Sequence, residues 1–243
     1  MPFTEVRPKK TFVRVAEQID EAIQSGEYAP GDMLPSEREL AQTFRISRQA
    51  MREALVALQL AGIIETRAGI GSVVAAPPGA ESNERLWSLD DEESPAEVME
   101  ARRIVEPRIA ALVAARIAGE DRQELRRLLA RMRAVAGEPS AMEGLRFGTL
   151  DLEFHRLVAG ASGNAVLARF VEAVAGYADQ HLWRSLRQTS YRREPALARR
   201  FLHHHEALVA AIEAGDGEAA ARAMESHLDA SLDLWFGEPE HGA

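Results

Sequence analysis

Apolar residues recur at helical spacing along most of this chain. Residues 11–25, TFVRVAEQIDEAIQS, carry them at 12, 15, 16, 19, 22 and 23, one face of a helix. Gly26 ends that helix, and YAPGDMLP follows as a turn-rich connection. SEREL opens a second helix, with Ser36 and Glu39 in capping-box spacing and Leu34 as an apolar anchor. A third helix is predicted from Ser47 to about Leu60, stopped by Gly62. IIETRAGIGSVVA then shows two short β-branched runs around RAGIG, the pattern of a hairpin.

The pattern changes at residues 77–95, PPGAESNERLWSLDDEESP, which are polar and proline-punctuated and read as a linker, with room for a short helical turn at residues 86–89. Ser94 as N-cap, Pro95 at the first helical position and Glu97 two residues further on make a strong helix start. From there to Trp235 the chain is rich in Ala, Leu and Arg at helical period. Breaks near Gly119 and at 136–140, 162–164, 193–195 and 215–217 predict about six helices and no strand. The expected fold is mostly α: an N-terminal winged helix-turn-helix over residues 1–76, the linker 77–95, and an all-helical bundle over 96–236.

Composition narrows the classes. The chain has 243 residues, 46% of them hydrophobic and 28% charged, which suits a globular protein of two modest domains. No apolar run approaches a membrane span, and the N-terminus lacks the apolar core of a signal peptide, so a cytoplasmic protein without a membrane partner is expected. With no cysteine, disulfides and thiolate metal sites are excluded. Net charge is −9; residues 1–76 hold nine Lys and Arg against ten Asp and Glu, and the rest holds 20 against 28. Bulk charge therefore argues for no nucleic-acid partner, and any such reading rests on where the basic groups lie.

They lie together. FRI joins helices two and three by a very short link, the spacing of a major-groove reader. Residues 44–52 contain Arg45, Arg48 and Arg52 and no acid, with Ala50, Met51, Ala54, Leu55 and Leu58 on the core side. Arg67 stands at the hairpin, and Ser36 and Ser47 put hydroxyls and helix N-termini where phosphates dock. The stretch LPSERELAQTF.ISRQAMREAL..L..AGII.TRAGIGSVV resembles the winged helix-turn-helix of the GntR family of bacterial transcription regulators, over residues 11–75. The resemblance implies double-stranded operator DNA as partner, base or backbone contacts from Arg38, Arg48 and Arg52, a phosphate contact from Arg67, and minor-groove approach at Gly69. Arg45 stands where relatives often have glycine, which points to an altered turn or to an added phosphate contact. Gln49, Ala50 and Met51 also depart from the commoner residues, so the operator sequence is not carried over.

The second half holds a different constellation. RRFLHHHEALVAAI contains three consecutive histidines. At about 100° per residue, His205 is central on the apolar face with Phe201, Leu202, Leu208, Val209 and Ile212 around it. His203 falls about 160° away, toward solvent, and His204 near 100°, at the boundary. TLDLEFHRLVAGASGN sets Asp151 and His155 at i and i+4 beside Phe154 and Val158. His227 shares a face with Ala220, Ala223, Met224, Ala230 and Leu234. One carboxylate and three imidazoles thus point into apolar surroundings from three helices. A shared divalent metal satisfies all four, and so does a buried hydrogen-bond network; the residues alone favour neither.

This half resembles the all-helical FCD ligand domain of the FadR-like subgroup, on EARRIVEPRIAALVAARIA, DLEFHRLVAGASGN and HEALVAAIEAGDGEAAARAMESHL. The resemblance implies a metal held by Asp151, His155, His205 and His227, with zinc first and nickel, manganese or iron also compatible. It places Arg102 near the effector, for which a small organic or sugar acid is expected, and makes repression released on binding the family default. Asn164 in SGN is a weaker candidate that reads at least as well as a turn residue, and a homodimer is expected because reading two half-sites needs two modules. Two alternatives accompany this reading: a metalloenzyme using the Asp/His₃ site, which would lack a separate base because no HExxH motif is present, and a regulator whose metal is purely structural.

Overall fold

The computed structural model of the chain describes residues 10–67, 71–75, 93–137, 141–178, 180–194 and 196–236. Two compact units divide between Ala96 and Glu97.

In the first unit, α1 (Thr11–Gln24), α2 (Glu37–Phe44) and α3 (Arg48–Leu60) precede an antiparallel hairpin, β1 (Ile64–Arg67) and β2 (Gly71–Val74). Phe12, Val13, Ala16 and Ile19 of α1 are buried, as are Met51, Ala54, Leu55 and Leu58 of α3, against which α1 packs. The capping box at α2 forms as its spacing predicts: Ser36 Oγ accepts from the Glu39 backbone N–H, and the Glu39 carboxylate accepts from the Ser36 backbone N–H at 2.9 Å. Ser47 likewise caps α3 through the Ala50 N–H at 3.1 Å. The hairpin pairs Ile64 with Val74 and Arg67 with Gly71. The α1–α2 connection, which reads as plain turn, also joins this sheet: Leu34 N–H donates to Ser72 O and Val74 N–H to Asp32 O, both at 2.9 Å. No local pattern marks that pairing, because it is made across the fold. Gly69 lies outside the described residues, as does all but the end of the predicted linker.

Arg45 settles the turn between α2 and α3. Its φ is 54° and ψ 44°, the left-handed C-cap of α2, and its N–H donates back toward Ala41 and Gln42 carbonyls. The turn is kept in its glycine-like form with arginine in it, at a cost of roughly 1 kcal/mol. It is the one non-glycine residue with positive φ among those described.

Ser94, just ahead of Pro95, also has a partner remote in sequence. Its hydroxyl donates to the buried Glu53 carboxylate at 2.9 Å, and that carboxylate also accepts from the Ala96 backbone N–H at 2.7 Å. A side chain remote in sequence thereby serves an N–H at the start of the following helix.

The second unit is helical throughout its described residues: α4 (Pro95–Arg116), α5 (Gly119–Ala136), α6 (Ala141–Ala161), α7 (Ala165–Tyr177), α8 (His181–Arg193), α9 (Leu197–Ala214) and α10 (Gly217–Phe236). This is one helix more than the pattern predicts. The break between α7 and α8 is invisible in sequence because its caps, Ala178 and Gln180, are ordinary helix formers with no side-chain cap bond at α8. α9 packs against α5, α6 and α10, and α6 against α5, α7 and α8. The α9–α10 corner depends on two glycines. Gly215 has φ 71°, the left-handed cap that ends α9. At Gly217 a Cβ would come within 3.1 Å of the Ala111 carbonyl oxygen, so α10 starts hard against α4.

Candidate metal and effector site

The packing of α6, α9 and α10 brings Asp151, His155, His205 and His227 together. One ligand atom from each lies within 4.8 Å of every other. Asp151 Oδ1 is 3.0 Å from His205 Nε2, 3.4 Å from His227 Nε2 and 3.7 Å from His155 Nε2. His155 Nε2 and His227 Nε2 are 3.0 Å apart. Ligand atoms bound ~2.0–2.2 Å from one ion sit ~2.8–3.6 Å apart at octahedral or tetrahedral angles; the 3.0 and 3.4 Å separations fall in that range and the 3.7 Å one just outside it. The three imidazoles are buried, His205 with 1% exposure, whereas the Asp151 side chain retains 23%. His203 is on the surface with its side chain 80% exposed, and His204 is half-buried, as their angles from His205 predict.

The rings are held so that Nε2 faces the centre. His205 Nδ1 lies 2.8 Å from the Phe201 carbonyl oxygen, which only accepts, so Nδ1 carries the proton and Nε2 has the free lone pair. That Nε2 is buried and makes no hydrogen bond among the described residues, despite its closeness to Asp151. Such an orphaned nitrogen is what a metal ligand looks like before coordination. Phe147 and Phe154 wedge the His205 ring edge-on, with centroids 5.8 and 4.7 Å away.

Electrostatics favours the ligating form at Asp151 and His227. Burial alone would raise the Asp151 carboxyl, but the three neighbouring histidines, His155 foremost, hold it well below the usual carboxylate range. Burial, and then the neighbouring His205, bring His227 down to about 3, which keeps its ring neutral. Burial would lower His155, but the Glu106 charge together with the hydrogen bond and charge of Asp151 leaves that ring raised.

Glu106 is the residue that sequence reasoning missed. It is 2% exposed, and burial alone would raise it, but Arg102 and His155 together bring it to about 2. The Arg102–Glu106 pair at i,i+4 in EARRIVE was its available signal.

A cleft of about 510 Å³, counting its open mouth, adjoins the cluster. Asp151, Arg102, Arg187, Ser190, Tyr191 and Ser231 supply its polar lining, and Phe147, Trp183 and Phe201 are among the apolar walls. Arg102 is thus among the lining residues, and Asn164 is not. Asn164 is the N-cap of α7, its Oδ1 accepting from Val166 N–H at 3.0 Å and Leu167 N–H at 3.3 Å.

In the first unit Arg38, Arg45, Ser47 and Arg67 are exposed, and Ser36 is exposed apart from its cap bonds. Arg48 and Arg52 are more engaged than the local run of basic residues implies. Arg52 Nε and Nη2 meet the two oxygens of Glu37 at 2.7 and 2.8 Å, and Arg48 Nε lies 3.8 Å from the same carboxylate. Packing of α2 on α3 brings in an acid that the 44–52 stretch does not contain.

Comparison with known proteins accords with both halves. Residues 11–74 match the model described as bacterial regulatory proteins, gntR family, and residues 97–230 match the FCD domain. The Exu regulon transcriptional regulator of Escherichia coli (strain K12) is 30% identical over 95% of this chain and 86% of its own length. HTH-type transcriptional regulator LutR of Bacillus subtilis (strain 168) is 29% identical over 88% of this chain and 96% of its own. The solved structure of E. coli McbR/YncC superposes with a TM-score of 0.50 at 18% identity, covering 93% of this chain and 97% of that one, a likeness of fold. The relatives are named as regulators, which removes the metalloenzyme reading. This chain belongs to the GntR family of bacterial regulatory proteins and is a DNA-binding transcription regulator with a C-terminal FCD domain.

Proposed function

We propose that the chain is a FadR-like repressor, acting as a cytoplasmic homodimer on operator DNA, whose FCD domain takes a small organic or sugar acid beside a divalent metal. In this reading residues 1–76 read DNA, 77–95 connect and 96–236 sense. The observation that carries it is the convergence of Asp151 Oδ1 with three histidine Nε2 atoms at a cleft that Arg102 also lines. Zinc suits three nitrogens and one oxygen best, and nickel, manganese or iron are also accommodated. A bound ion supplies open coordination positions for a carboxylate. Arg102 adds the planar cation that holds carboxylates bidentately. The hydroxyls of Ser190, Tyr191 and Ser231, with Arg187, match an acid that also carries hydroxyl groups.

The DNA contacts in this reading come from Ser36, Arg38, Arg45, Ser47, Arg48, Arg52, Arg67 and Gly69. Two modules are needed to read two half-sites, hence the homodimer. The acid controls operator affinity only by binding one arrangement of the dimer better than the other. A purely structural ion is the competing reading. The opening of Asp151 onto the cleft favours an accessible site, because structural sites are closed.

The test is elemental analysis of the purified protein, followed by operator binding measured against a panel of small carboxylic acids with and without chelator. About one metal per chain is expected, with at least one acid weakening operator binding about tenfold in the metal-loaded protein alone. Unchanged metal content and acid response in Asp151→Ala/His205→Ala would overturn the reading.

A further inference from the structure

The four converging side chains do not account for Glu106, a buried carboxylate on α4 with a partner on each oxygen. We propose that Glu106 is a positioning residue that joins the metal centre to the effector cleft, orienting His155 with one oxygen and Arg102 with the other. The proposal rests on the functional reading above and deepens it.

The geometry is specific. Glu106 Oε2 is 2.5 Å from His155 Nδ1, and Oε1 is 2.7 Å from Arg102 Nε. An ionised carboxylate only accepts, so it places the proton on His155 Nδ1 and turns the Nε2 lone pair toward the centre. Carboxylate partners of this kind fix the ring orientation of metal-binding histidines and strengthen them as ligands. At the other oxygen Glu106 takes the Nε edge of Arg102, which fixes the plane of the guanidinium. Arg102 Nη1 meets the thioether of Met99 at 3.6 Å, a weak acceptor that an incoming carboxylate outcompetes. Arg102 and Glu106 are one helical turn apart on α4, so a single rigid element carries both the clamp and the strut.

An amide cannot replace this carboxylate. Glu106→Gln offers one acceptor oxygen and one NH₂ donor where two acceptors are required. With its oxygen toward His155, the NH₂ faces the Arg102 cation; with its NH₂ toward His155, the ring must flip its proton to Nε2 and loses its lone pair to the centre.

The experiment measures zinc affinity of the full chain by chelator competition, and the ring protonation of His155 by ¹⁵N NMR in metal-free protein at a pH where the ring is neutral. Glu106→Gln is expected to weaken zinc binding about 10–100-fold and to move His155 from the Nδ1–H to the Nε2–H form. Glu106→Asp, which keeps two acceptor oxygens, retains the Nδ1–H form; a merely structural role would make the two variants alike. Arg103→Met, which removes a surface pair with Asp229, leaves both readouts unchanged. If wild type binds zinc and Glu106→Gln binds within about threefold of it with the same tautomer, the role of Glu106 falls and the metal reading stands. If wild type binds no zinc, both fall. Should Glu106→Gln prove insoluble, the wild-type spectrum decides, because an Nε2–H His155 in metal-free protein overturns the proposal.

Discussion

Asp151 on α6 and His205 on α9 meet at 3.0 Å, carboxylate oxygen to Nε2, inside a shell of Phe147, Phe154 and Phe201. As the carboxylate and one imidazole of the proposed metal site, the two make a demanding test of it. Asp151→Ala and His205→Ala are each expected to reduce bound metal from about one to less than about 0.1 per chain, whereas His203→Ala and His204→Ala leave it intact. Inductively coupled plasma mass spectrometry of the dialysed proteins reads this directly, and metal retained in His205→Ala but lost in His203→Ala would reverse the assignment.

Metal should also be a stabiliser. An ion that binds only the folded chain adds about 2.7 kcal/mol at a free concentration of 100 times its Kd. Chelator is therefore expected to lower Tm by several degrees, zinc to restore it, and Asp151→Ala to be indifferent to both. Differential scanning calorimetry checks it.

Arg45 pays for its left-handed turn. Arg45→Gly is expected to stabilise the protein by about 0.5–1 kcal/mol, since glycine adopts that conformation freely. The same change removes an exposed cation from the DNA-binding unit, so the slope of log affinity against log salt for operator DNA should fall by about one. A stability gain with an unchanged slope would mean that Arg45 touches no phosphate.

Glu37 holds Arg52 by two bonds and sits near Arg48. Glu37→Gln deletes a negative charge beside both arginines and is expected to tighten non-specific DNA binding and steepen its salt dependence by about one charge. Fluorescence anisotropy at several salt concentrations measures it. Weaker binding instead would show that Glu37 serves to hold Arg52 in its DNA-reading position.

Asp20 is 4% exposed on α1, its Oδ2 accepting from Gln24 Nε2 at 2.6 Å and its Oδ1 without a hydrogen bond among the described residues. Burial raises its carboxyl above the ordinary value, with the Gln24 bond opposing. A raised folded-state value means that the protonated form is favoured in the fold. That contribution is full below the unfolded value of 3.8 and is lost as pH rises through the raised one. Asp20→Asn is thus expected to stabilise the chain by about 1 kcal/mol at pH 7 and to make no difference near pH 3, read from urea unfolding at the two pH values. An equal effect at both would remove the electrostatic account.

Much of this was legible before any coordinates. The capping residues Ser36 and Ser47, the hairpin around RAGIG and the inward turn of His205 all follow from spacing, because caps, turns and helix faces are local and each is written within a few residues. The α7–α8 break was not legible, since Ala178 and Gln180 are ordinary helix formers and α8 starts with no side-chain cap bond. Asn164 shows a local role that spacing alone left unspecified, the N-cap of α7.

Sequence by itself therefore determined which faces are buried, which histidine of the three points inward, and which family the two halves resemble. Only the tertiary structure decided what those faces meet. Glu106 finds His155 from another helix, Glu37 finds Arg52 across a turn, and Glu53 finds Ser94 across the first unit. The reason is physical. Helical periodicity fixes the direction of a side chain relative to its own axis, whereas a buried charge is satisfied by whichever partner packing delivers, and the sequence near that charge does not record which one it is.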